Sequence, residues 1–101
     1  MVNMTIESVA SLLCALLTKH KIHFTFRNNT DSCITVTGEL MPVALLNLLR
    51  SSLIILGIEV YDHPASAEFF KDGSVELIVV QGSQGSALVG FNYNKVMYND
   101  S

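Results

Sequence analysis

The sequence predicts an α+β domain. Two helices pack on one face of a mostly antiparallel, four- to five-stranded sheet, in the order α-β-β-α-β-β-β. Three observations predict it. Apolar residues recur at helical spacing in two segments, and they alternate with polar ones in several others. Gly, Pro, Asn and Asp stand between these segments, as turns require. Half of the 101 residues are hydrophobic and only 15% are charged, so there is ample apolar surface to fill one layer between helices and sheet. The expectation is a single domain spanning residues 1–101.

Thr5 is a favourable N-cap for the first helix. Ile6, Val9, Leu12, Leu13, Leu16 and Leu17 then recur at helical spacing, with Ser8, Ser11, Ala15, Thr18 and Lys19 on the other side. Lys19, His20 and Lys21 close it, where cations suit the negative helix end. The period next changes to two, with Ile22, Phe24 and Phe26 alternating with His23, Thr25 and Arg27. Residues 28–31 read as a turn, and Ile34 and Val36 then alternate with Cys33, Thr35 and Thr37. The apolar side of this hairpin is expected to face the helix. Its other side carries His23, Thr25, Arg27, Thr35 and Thr37, which suits solvent or a polar partner.

Pro42 and Gly57 punctuate the second helix at its two ends. Its polar residues, Asn47, Arg50, Ser51 and Ser52, make only a narrow stripe among leucines and isoleucines. A helix this apolar is central or is shared across an interface. Residues 58–61 read as a strand that Pro64 helps to end. Asp72-Gly73 signals a hairpin turn, with a short helix capped by Ser66 as the alternative for residues 67–70. Residues 75–80 are apolar on both faces apart from Glu76, which marks an interior strand or one that meets a partner. Val89, Phe91 and Tyr93 alternate with polar or small residues in the last strand. An echo at a spacing of 36 residues aligns Leu17 and Ile22 with Leu53 and Ile58, which allows two weakly similar αββ halves, 5–38 and 42–93.

Composition excludes several functions. The six Lys and Arg residues are scattered and the formal charge is −3, so no nucleic-acid partner is expected. Glu7 precedes the apolar start of the first helix and no basic residue does, the wrong charge order for a signal peptide. The run at 43–58 is too short and too polar for a bilayer, so no membrane is expected. Two cysteines make no disulfide framework, which points to reduced thiols and a cytoplasmic location.

Four candidate sites are worth weighing. Residues 82–86, Gly-Ser-Gln-Gly-Ser, sit where a phosphate loop would, but a strand-like segment follows instead of a helix. A hairpin connection is expected there. His20, His23, His63, Asp62 and Cys33 include metal-ligating types without a spacing that unites them, so neither a metal nor another cofactor is expected. The nine carboxylates are spread along the chain and no nucleophile motif accompanies Cys14 or Cys33, so no catalytic residues and no enzyme are expected. The fourth candidate is the apolar excess itself, Leu45 to Leu56 with Phe69, Phe70, Ile78, Val80, Met97 and Tyr98. Interface residues are expected among Phe69, Phe70, Ile78, Val80, Arg50 and Tyr98. The expected function is a non-catalytic protein-binding module. It would be a small regulator, adaptor or inhibitor of the kind that phages and mobile elements encode, working as a homodimer or higher oligomer. The alternative is a small-molecule or nucleotide binder with its pocket between the second helix and the sheet or at a subunit interface.

Overall fold

The structure, a computed structural model, describes residues 4–63, 70 and 73–98. Among the described residues there are two helices, α1 (Ile6–Lys19) and α2 (Val43–Ile55), and five strands. The strands are β1 (Phe24–Thr30), β2 (Cys33–Gly38), β3 (Glu59–Asp62), β4 (Val75–Gln81) and β5 (Ala87–Tyr93). They form one sheet in the order β1-β2-β4-β5-β3. Every pairing is antiparallel except that of β3 with β5. The expected α-β-β-α-β-β-β order and α+β class are those of the molecule.

The helix ends follow from their capping residues. Thr5 Oγ1 accepts the Ser8 N–H at 3.1 Å and so starts α1. At the far end Lys21 adopts φ 60 and Ile22 N–H donates back to the Leu17 carbonyl. At the end of α2, Gly57 adopts φ 81 and Ile58 N–H donates to Leu53. Both ends are the same left-handed cap, with an apolar residue following it against the last turn.

The core lies between the helices and one face of the sheet. Val9, Leu13 and Leu17 of α1 and Leu45, Leu46, Leu49 and Leu53 of α2 are buried there. Ile34, Val36, Leu77, Val79, Val89 and Phe91 meet them from alternate positions of β2, β4 and β5. Burying side chains of this size contributes on the order of 2 kcal/mol each. β4 is the central strand, between β2 and β5; Val75, Leu77 and Val79 face the core, and Glu76, Ile78 and Val80 face the other side.

One expectation needs correction. The first hairpin does not turn at 28–31: β1 runs to Thr30, and Asp31 and Ser32 make the turn. A bulge between Asn28 and Thr30 absorbs the extra residue. Thr30 Oγ1 accepts the Ser32 N–H, and Asn29 bonds the Thr35 hydroxyl, so polar side chains hold the strand end in place. Phe26 shares the helix-side face with Val36, yet it is 50% exposed, because β1 is an edge strand. The expected strand at 67–70 and the Asp72 half of its turn lie outside the described residues, apart from Phe70.

Candidate interaction surfaces

The second face of the sheet can be read from its register. Three rows of side chains cross it. The first is Thr25, Thr37, Glu76 and Asn92. The second is Arg27, Thr35, Ile78, Gly90 and Tyr61. The third is Cys33, Val80, Leu88 and Glu59. Ile78, Val80, Leu88 and Tyr61 form a half-buried apolar centre. The polar rim is locally bonded: Asn92 Nδ2 donates to Glu76 Oε1 at 3.1 Å, and Asn29 Nδ2 lies 3.6 Å from Cys33 Sγ. Thr25, Arg27, Asn29, Thr35, Thr37 and Glu76 line a shallow polar cleft at one side. The Tyr61 ring lies across Gly90 so closely that a Cβ there would stand 2.4 Å from it. Glycine is what admits the ring.

The solvent side of α2 is the second surface. Leu48 is 47% exposed and Ile55 83% exposed, while Ile54, Leu56 and Val43 also reach water. Ala44 and Ser51 lie exposed between them. Beside Ala44 and Leu48 a groove of about 280 Å³ is lined also by His20, Ile22, Pro42 and Leu45.

The residues singled out from sequence do not form one site. Ile78 and Val80 are neighbours on the outer face. Arg50 is on the helix side: its Nη2 lies 2.8 Å from Asp62 Oδ1, its Nη1 donates to Asn47 Oδ1 at 3.1 Å, and its guanidinium sits 5.0 Å from the Phe91 ring centroid. It joins α2 to the end of β3. Tyr98 lies at the start of α2. Its hydroxyl is 2.7 Å from the carbonyl oxygens of both Met41 and Gly73, and its ring meets Tyr93 edge-on at 5.7 Å. Burial pushes its phenol up from the usual range. Phe70 is half-buried and Phe69 lies outside the described residues. Leu48 and Ile55 belong to the apolar run 45–56 expected from sequence, whereas Tyr61 and Leu88 are not among the expected interface residues. Gly90 inside an alternating strand was the available signal for Tyr61, since a strand glycine marks a close approach.

Chain matching brings no relative to these surfaces. Family models, curated proteins and solved structures all show no match to this chain.

The chemistry-bearing residues are dispersed. His20 caps α1, His23 Nδ1 lies 3.3 Å from Glu39 Oε2, and His63 meets Tyr61 edge-on at 4.7 Å. Among the described residues no three His, Cys, Asp or Glu side chains come together as a metal site. Burial pushes the Cys14 thiol up, away from the thiolate a nucleophile needs. Residues 82–86 connect β4 to β5 as a hairpin. Gly82 N–H donates to Ser86 O at 2.8 Å and Gly85 N–H to Gly82 O at 3.2 Å, so these two donors serve the turn. The space between α2 and the sheet is filled by Leu45, Leu46, Leu49 and Leu53. Among the described residues no buried side-chain polar atom lacks a partner, and no helix is long and apolar enough to cross a membrane.

Proposed function

We propose that this chain is a non-catalytic protein-binding module, a small cytoplasmic regulator, adaptor or inhibitor that works as an oligomer. The observation that supports this is the outer face of the sheet. A sheet face turned only to water alternates to polar residues, as Thr25, Thr35 and Thr37 do. Here the middle of the face is instead Ile78, Val80, Leu88 and Tyr61, with Thr25, Thr37, Glu76 and Asn92 along one side. An apolar centre with a polar rim is the anatomy of a protein–protein interface. Two free cysteines agree with a reducing compartment.

The test is affinity capture from the native host with the wild-type chain and an Ile78→Lys/Val80→Lys variant side by side. Both side chains are half-buried on the sheet surface, and circular dichroism serves as the control for folding. A protein held by the wild type and lost from the folded variant is the expected result. Identical captures from the two would remove the outer face from consideration.

A further inference from the structure

We propose that α2 is the self-association surface of this protein, pairing antiparallel with α2 of a second copy about a two-fold axis between Leu48 and Ser51. The inference deepens the oligomeric part of the function proposed above but uses a different face, so the two fail separately.

Ala44, Leu48, Ser51 and Ile55 follow one another at intervals of four, three and four residues. That spacing keeps them on one stripe of a helix and is the repeat that lets two helices pack along a seam. All four are exposed, whereas Leu45, Leu46, Leu49 and Leu53 bury the other side of the same helix in the core. α2 is therefore apolar toward two directions, and the described residues occupy only one of them.

Size alternates along the stripe: Ala44 small, Leu48 large, Ser51 small, Ile55 large. Antiparallel pairing about the middle of the stripe sets Leu48 against Ser51 of the second copy and Ala44 against Ile55 of the second copy. Each large side chain then meets a small one, which permits close approach of the helix axes. Parallel pairing would set Leu48 against Leu48 and leave Ala44 facing Ala44. The groove beside Ala44 and Leu48 continues the match. It lies where Ile55 of the second copy arrives, and Ile55 is the most exposed residue of the stripe, at 83%.

The alternation of size makes the stripe complementary to itself, and its lack of charge lets two copies meet without repulsion. An isologous contact brings each residue near its own symmetry mate's surroundings, so a charged stripe would repel itself. The only charged residue in α2 is Arg50, and it is turned to Asp62 and Phe91, off the stripe. Antiparallel helices also oppose their dipoles favourably.

The experiment is sedimentation equilibrium of the full chain from micromolar to about 100 μM. Wild type is expected at twice the 11.1 kDa monomer mass. Leu48→Glu and Ile55→Lys replace exposed side chains, and a lysine suits the C-terminal end of a helix. Each is expected to raise the dimer dissociation constant at least tenfold with an unchanged circular dichroism spectrum. The double variant Leu48→Glu/Ser51→Lys is expected to recover the dimer, because antiparallel pairing sets the new glutamate against the new lysine of the other copy. Ile78→Lys/Val80→Lys is expected to remain dimeric. A monomeric wild type, a dimer indifferent to Leu48→Glu and Ile55→Lys, or a double variant no better than Leu48→Glu would each overturn the proposal.

Discussion

Tyr98 shows how a single side chain can tie together distant parts of the chain. Its hydroxyl bridges the Met41 and Gly73 carbonyls, which hold the start of α2 near the start of β4. Tyr98→Phe leaves both oxygens without this donor and is expected to cost about 1–2 kcal/mol, read as a lower urea midpoint. The pH dependence has a definite sign. Burial raises the phenol pKa above 10.0 in the folded chain. Above that pH the unfolded chain has released the proton that the folded chain still holds, so stability falls as pH rises toward the folded pKa. Below pH 10 this contribution is fully present. Tyr98→Phe is expected to flatten the alkaline loss of stability, and an unchanged slope would contradict the assignment. From sequence Tyr98 is an expected interface residue, and its partners are not legible because they are 57 and 25 residues away. Arg50 was legible as the polar residue of an apolar helix, but its partners were not. Asp62 is twelve residues on, and only the packing of α2 against β3 brings the pair to 2.8 Å.

At the scale of the element, the two helices end in the same way with different residues. Gly57 occupies the left-handed position at the end of α2 without a steric penalty, whereas Lys21 occupies the matching position after α1 with a Cβ. Opposite substitutions should therefore have opposite signs. Gly57→Ala is expected to lower stability and Lys21→Gly to raise it, each by about 1 kcal/mol, in thermal melts of the two variants. Equal signs would show that something other than backbone conformation dominates at one of the two ends. The cap at Gly57 is readable from sequence because glycine marks the left-handed position, whereas nothing in Lys21 marks it. The end of β1 was less legible. Asn28, Asn29 and Thr30 have turn-forming compositions, yet a bulge and the Asn29–Thr35 bond keep them in the ladder. Cross-strand bonds of that kind are decided by the partner strand, not by the segment itself.

For the whole molecule, the order β1-β2-β4-β5-β3 determines which strands are edges and what the sheet presents on its outer face. β4 is central and carries Ile78 and Val80 outward, and the parallel docking of β3 on β5 brings Tyr61 over Gly90. The same order makes residues 82–86 a hairpin connection between antiparallel neighbours, with two of its amides spent on the turn. Millimolar ATP or GTP is accordingly expected to leave the melting temperature unchanged. A saturable rise of several degrees would mean that the loop binds phosphate after all.

The sequence by itself determined the class, the order of elements, the caps at Thr5 and Gly57 and the interior character of residues 75–80, because these depend on periodicity and on neighbours a few residues apart. Only the tertiary structure decided which apolar residues stay outside. Leu45 and Leu48, or Ile54 and Ile58, cannot be told apart by composition. Which of them is buried depends on how α2 is rotated against the sheet and which face the strand order leaves open. Those are properties of contacts between residues far apart in the chain, and so are the two surfaces on which the function proposed here rests.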